Sequence, residues 1–283
     1  MGQQIHWFPG HMSKALNEVE NKVKIVDVVI ELLDARAPIS SINENLESVI
    51  KNKKKLIVLT KTDLADSIQT LKWKEALKDE NDLVLELDLK SQNAEAILSK
   101  NVLLLGKDKW AKDMARGMKP QPIRTMIIGI PNVGKSSLIN RIAKRKAAGV
   151  QNKPGYTRGE QWIKVNKDFL LLDTPGILPM NYENPKKAAN LALIGSIREE
   201  ILPNEQLGEL LLNYLKERYP NALKKRFDID EISDRITVLN LIAEKRKLVN
   251  GVGENDLNRA EALLLKEFKD GLLDRISLEW YVA

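Results

Sequence analysis

Residues Gly129-Ile130-Pro131-Asn132-Val133-Gly134-Lys135-Ser136 fill every fixed position of the pattern G-x-x-x-x-G-K-S/T. Few short patterns constrain a fold so tightly. The glycines let successive backbone NH groups, from Asn132 through Val133, Gly134, Lys135, Ser136 and Ser137, turn inward around phosphate oxygens. Lys135 reaches the outer phosphates, and the Ser136 hydroxyl is placed to ligate Mg2+. The flanks agree: Ile123 to Ile128 is a β-branched apolar run, and Leu138, Ile139 and Ile142 follow at helical spacing. Strand, loop and helix in that order predict an α/β fold and a nucleoside triphosphate site.

The chain has 283 residues, enough for about two domains, and no cysteine, which excludes disulfides, thiolate metal sites and cysteine nucleophiles. No apolar run approaches the roughly 20 residues that span a bilayer, so the expectation is a cytoplasmic protein without a membrane partner. The formal charge of +6 is unevenly distributed: the first 184 residues hold 29 Lys and Arg against 22 Asp and Glu. Basic residues cluster at Lys51, Lys53, Lys54 and Lys55 and again between Arg141 and Arg158. A solvated face and an anionic partner account for these clusters equally well.

Three further motifs each follow a strand-like run. Leu56 to Leu59 leads into Thr60-Lys61-Thr62-Asp63, which fits the guanine-reading pattern N/T-K-x-D. A carboxylate at Asp63 can accept from both the N1-H and the exocyclic amine of guanine, a donor pair that adenine lacks, while the Lys61 stem lies along the base plane. This pattern disfavours an ATPase. Leu83 to Leu87 precedes Asp88-Leu89-Lys90-Ser91, where a second base-contacting loop belongs, at Asp88 and Leu89 or two residues later. Phe169 to Leu172 ends at Asp173-Thr174-Pro175-Gly176, in which Asp173 can hold Mg2+ through water and the Gly176 NH can sense the γ-phosphate. Thr157, in the loop between, can close on the same metal.

In an ordinary GTPase the phosphate loop precedes the guanine motif; here residues 60–63 and 88–91 precede residues 129–136. With that permuted order, the opening Trp7-Phe8-Pro9-Gly10-His11-Met12 and the segment Asp34-Ala35-Arg36, the chain resembles the circularly permuted GTPases of the YlqF/RbgA family over nearly its whole length. The resemblance implies a GTP-hydrolysing assembly factor for the large ribosomal subunit, with ribosomal RNA and precursor particles as partners. Many GTPases orient the attacking water with a glutamine after D-x-x-G; Ile177 stands there and has no polar group to do so. The resemblance assigns that role to His11, as catalytic residue. It also makes Asn132 a candidate ligand for K+.

From Asn184 onward the pattern is helical, with Leu207, Leu210, Leu211, Tyr214 and Leu215 on one face, Leu257, Ala260, Leu264 and Phe268 on another, and Asp256 as an N-cap. The expected architecture is a permuted P-loop GTPase domain over residues 1–182, a mostly parallel sheet flanked by helices, followed by a small all-α domain over residues 183–283 that contacts ribosomal RNA. Lys224-Lys225-Arg226 and Lys245-Arg246-Lys247 would give that domain basic faces. A monomer binding GTP and GDP is expected, tight on its ribosomal partner with GTP and released after hydrolysis. The other reading is a GTP-gated RNA-binding module in which hydrolysis matters little.

Overall fold

The computed structural model describes residues 10–89, 93–147, 162–179, 184–197 and 202–282. Strands β1 (Val28–Asp34), β2 (Lys54–Thr60), β3 (Leu83–Glu86), β4 (Ile123–Gly129), β5 (Trp162–Lys164) and β6 (Phe169–Leu172) form one sheet. Its order is β3-β2-β1-β4-β6-β5, parallel throughout except for β5, which runs antiparallel to β6. The predicted apolar runs are these strands. The three-residue edge strand β5 is too short to announce itself by alternation.

The helices are α1 (Gly10–Val23), α2 (Pro38–Ser41), α3 (Glu44–Ile50), α4 (Ser67–Ala76), α5 (Ala94–Leu105), α6 (Lys107–Ala115), α7 (Lys135–Ala147), α8 (Pro185–Leu193), α9 (Asn204–Arg218), α10 (Ala222–Phe227), α11 (Arg235–Arg246) and α12 (Leu257–Lys269). Ser13 lies inside α1. Helices α5 and α6 meet at Gly106; a Cβ there would lie 2.5 Å from Ile123 Cδ1, so the chain passes β4 at glycine distance. Asp256 does cap α12, accepting from Arg259 N. Among the described residues no helix is long and apolar enough to cross a membrane.

Every residue of β1 is buried, as a central parallel strand with helices on both faces requires. Alternate residues serve the two sides. Val28, Ile30 and Leu32 pack with α5 and α7 residues such as Leu98 and Leu138, while Val29 joins Leu16, Val19, Leu46 and Ile177 under α1 and α3. The first cluster continues without a break into the helical region through Leu191, Leu211, Leu239 and Leu264.

Topology places the site. The chain steps outward from β1 to β2 and β3, then returns to lay β4 on the other side of β1. That reversal opens a crevice beyond the carboxyl ends of β1 and β4, where doubly wound sheets bind ligands.

Candidate nucleotide site

The phosphate loop leaves β4 at Gly129, whose φ is +149°; a Cβ there would sit 2.8 Å from Leu32 O of β1. Asn132 is left-handed at φ +57°, a conformation asparagine tolerates better than most residues. At Gly134, φ is +115° and a Cβ would meet Leu89 Cδ1 at 2.6 Å, so only glycine lets Leu89 lie against the phosphate loop. Helix α7 begins directly at Lys135, with Leu138 N donating to Gly134 O at 3.0 Å, and so aims its free amides and positive dipole end into the crevice.

Lys135 is only 7 % exposed and donates to Gly129 O at 3.0 Å and Ile130 O at 3.2 Å. Burial pushes its ammonium down to about 8, against the opposing pull of the Asp173 carboxylate. A Cβ at Gly176 would lie 3.0 Å from Lys135 Nζ and 3.0 Å from Pro131 Cα, so the D-x-x-G segment touches the phosphate loop. Thr174 Oγ1 donates to Ile127 O and Ile177 N to Gly129 O at 3.4 Å, which ties this segment to β4. Ile177 itself is 1 % exposed in the α1–α3 core, where its side chain cannot address a water at the phosphates.

At the base end, the buried Thr60 hydroxyl lies 3.1 Å from Leu33 O and 2.8 Å from Val133 O, a bridge from the guanine motif to the phosphate loop. Threonine thus supplies a polar tether where asparagine is commoner. Lys61, left-handed at φ +54°, pairs with Asp34 at 2.9 Å. Asp34 is wholly buried and is gripped by Arg36, through Nε at 3.0 Å and Nη2 at 2.8 Å. Burial would raise the Asp34 carboxyl, but Arg36 and Lys61 hold it well below the usual carboxylate range. A cavity of about 900 Å³ is lined by Lys61, Asp63, Asp88, Leu89, Asn132 and Gly134, among others. Base motif and phosphate motif therefore face one space.

Sequence reasoning named Asp34 and Arg36 but gave them no role. They hold Lys61 of the Thr60–Asp63 loop in place, and the signal was a carboxylate and a guanidinium two residues apart at the end of a buried strand. Arg141, read as part of a basic run, donates to Leu89 O at 2.6 Å and braces the Asp88–Leu89 segment. His11 stands on the first turn of α1, but its side chain, like Thr157 and residues 90–92, lies outside the described residues. Asn132 Nδ2 donates to Gly195 O at 2.7 Å; the amide oxygen, the atom that would ligate a monovalent cation, takes no part in that bond.

Lys53, Lys54 and Lys55 are engaged within the chain, whereas in the cluster from Arg141 to Arg158 every basic side chain but that of Arg141 lies outside the described residues. Lys53 donates to Val26 O, Lys54 pairs with Asp108, and Lys55 pairs with Glu47 and Asp82. In the helical region Lys224 meets Asp228 and Asp230, Lys225 meets Asp274, Arg226 meets Glu267, and Lys245 meets Asp228. Such pairs leave less net positive potential for RNA than the sequence runs imply.

Among the described residues no group of three or more His, Asp or Glu could hold a metal ion. Mg2+ at a triphosphate keeps waters and takes most of its ligands from phosphate, so it asks the protein for only one or two oxygen groups. The exposed Ser136 and Asp173 lie on the two segments that meet at Lys135, and they fit that need.

A family model described as 50S ribosome-binding GTPase matches residues 124–244. Ribosome biogenesis GTPase A of Bacillus licheniformis is 40% identical over 97% of this chain and 98% of its own, and that of Bacillus cereus is 38% identical over 97% and 93%. The chain belongs to the ribosome biogenesis GTPase A family. The family's Thermotoga maritima member, YlqF, has been solved bound to GNP, and its structure superposes with a TM-score of 0.66 at 27% identity, covering 94% of this chain and 98% of that one. The GDP-bound structure matches equally, with a TM-score of 0.66.

Proposed function

We propose that this chain is a GTPase of ribosome biogenesis that binds precursors of the large subunit and their ribosomal RNA with GTP and leaves after hydrolysis, acting as a monomer in the cytoplasm. The observation that carries this is the meeting of Lys135, Gly176 and the Thr60–Asp63 loop at one switch-point crevice, in a family whose members carry ribosome biogenesis in their names. Asp63 accepts from the guanine edge, with Thr62 beside it and Lys61 along the base plane; Asp88 and Leu89 close the other side. The amides of Asn132 to Ser137 cradle the phosphates, and Lys135 neutralises charge as it develops. Ser136, Thr157 and Asp173 would hold Mg2+, which supplies further charge neutralisation, and Asn132 is the residue we assign to K+.

Hydrolysis needs a group to orient water, and Ile177 is buried away from the phosphates. We assign that task to His11. Helix α1, which carries it, already touches the D-x-x-G segment: Lys22 Nζ donates to Asp173 O at 3.3 Å, and Leu16 and Val19 share a core with Ile177. In this reading residues 1–182 form the GTPase domain and residues 183–283 contact the ribosome. Turnover of the His11→Ala variant with ribosomal particles tests the catalytic assignment. Stimulated hydrolysis should fall by about 100-fold or more, as for a lost general base or water-orienting group, with GDP affinity unchanged; full stimulated activity would remove His11 from the mechanism.

A further inference from the structure

Behind the guanine motif runs a segment of the chain that no motif announces. Residues 270–282 leave α12 and cross the back of the Thr60–Asp66 loop, more than 200 positions away in sequence. Arg275 donates from Nε to Ala65 O at 3.0 Å and from Nη2 to Thr62 O. Ile276 N donates to Leu64 O at 3.0 Å, and Ser277 Oγ accepts from Asp66 N at 3.1 Å. Four backbone groups of one short loop thus find their partners on one distant strap. Gly271 lies under the same loop; a Cβ there would come within 2.5 Å of Leu64 Cδ2.

The strap is anchored on both sides of the molecule. Tyr219 of the helical region accepts from Ser277 N and from Trp280 Nε1, each at 3.0 Å. Leu278 N donates to Arg36 O at 2.8 Å, joining the strap to the residue that grips Asp34 and, through it, Lys61. Arg36 in turn reaches Ile194 O at 3.3 Å and lies 5.6 Å from the Phe268 ring. Both ends of the Lys61–Asp63 reader are therefore held from the helical region.

The loop needs holding. Lys61 is a non-glycine residue at φ +54°, a conformation that persists when the surroundings over-determine it. Asp63 must present two carboxylate oxygens to two donors on one edge of the base, so a small rotation of the loop breaks one of the pair. We propose that the 270–282 strap is part of guanine recognition, with Arg275 as the positioning residue that sets the angle of Asp63. Strap docking and base binding then strengthen each other by the same factor, as reciprocal linkage requires. This rests on reading Thr60–Asp63 as the base reader.

The test compares GDP, IDP and ADP on the full chain. IDP keeps the N1-H of guanine but lacks the 2-amine, so the GDP-to-IDP affinity ratio reports how well Asp63 makes its second bond. Arg275→Ala should weaken GDP binding by about tenfold, a typical result of losing a charge-assisted hydrogen bond, and pull the GDP-to-IDP ratio towards one. Arg275→Lys, which keeps a single cationic donor, should lie between. GDP and IDP affinities that are unchanged, or that fall by one common factor, would overturn the proposal, because loss of fold alone cannot change their ratio. In the unaltered chain, GDP but not ADP should slow hydrogen exchange of the Ile276 and Leu278 amides; equal exchange with both would also overturn it. A wild-type chain that binds GDP and ADP alike would overturn the base-reader assignment instead.

Discussion

Lys135 sets the pH window for nucleotide binding. Its ammonium titrates at about 8 because it is buried against backbone carbonyls, and phosphate beside it restores the ordinary lysine value or raises it further. Below pH 8 the group is charged before and after binding, so affinity stays level. Above pH 8 binding must take up a proton, and GDP affinity should decline with a slope approaching tenfold per pH unit. Titrations between pH 7 and pH 9 check this; a flat profile contradicts it. Thr60 gives a second prediction at this scale. Thr60→Val keeps the shape but removes the buried donor to Val133 O, at a cost of about 1–2 kcal/mol in urea unfolding, with weaker GDP binding as the phosphate loop loses its tether. Gly134→Ala would place a methyl group against Leu89 at a φ of +115° and should abolish measurable GDP binding while the sheet remains folded.

Strand β1 carries a buried acid that the nucleotide chemistry does not use. Glu31 stands beside Glu47, Lys55 and Asp82, and burial together with the Glu47 carboxylate raises its carboxyl to about 8. The protonated form can donate to Glu47, whose Oε1 is buried with no other hydrogen-bond partner among the described residues. The folded value lies above the unfolded 4.5, so this contribution to stability is complete below pH 4.5 and drains away as pH rises towards 8. Glu31→Gln keeps a donor without the titration. It should be more stable than the parent at pH 8 by about 1 kcal/mol and should flatten the decline between pH 5 and 8, measured by urea unfolding; an unchanged pH slope would contradict this. Elements whose identity rests on local chemistry were legible in the sequence: the apolar runs of β2 and β4, the glycine turns at Gly129 and Gly134, and the Asp256 cap. Glu31 was not, because one acid inside an apolar run reads as an outward position until both faces of the sheet are known to be covered. The lysines at 53–55 read as a surface patch, since their acceptors, Val26 O, Asp108 and Asp82, are distant in sequence.

For the molecule as a whole, permutation puts both ends of the GTPase machinery in the grip of the helical region. The phosphate loop touches it at Asn132 and Gly195, the base reader at Arg275 and Arg36, and the D-x-x-G segment leads towards it along the chain. The motif order was legible in the sequence, but the contacts at Asn132, Arg275 and Arg36 were not. The strap was invisible there, because its partners are mostly backbone groups of a loop more than 200 positions away, and residues 270–282 show no helical or strand period. A loop that orders with the γ-phosphate can therefore bias a region that is already anchored around the nucleotide. The decisive measurement is the affinity of the chain for precursor large-subunit particles, in GDP and in a non-hydrolysable GTP analogue. Binding at least tenfold tighter with the analogue, lost again when GDP replaces it, is the expected result; equal affinity in the two nucleotides would contradict a GTPase that uses hydrolysis to leave the ribosome.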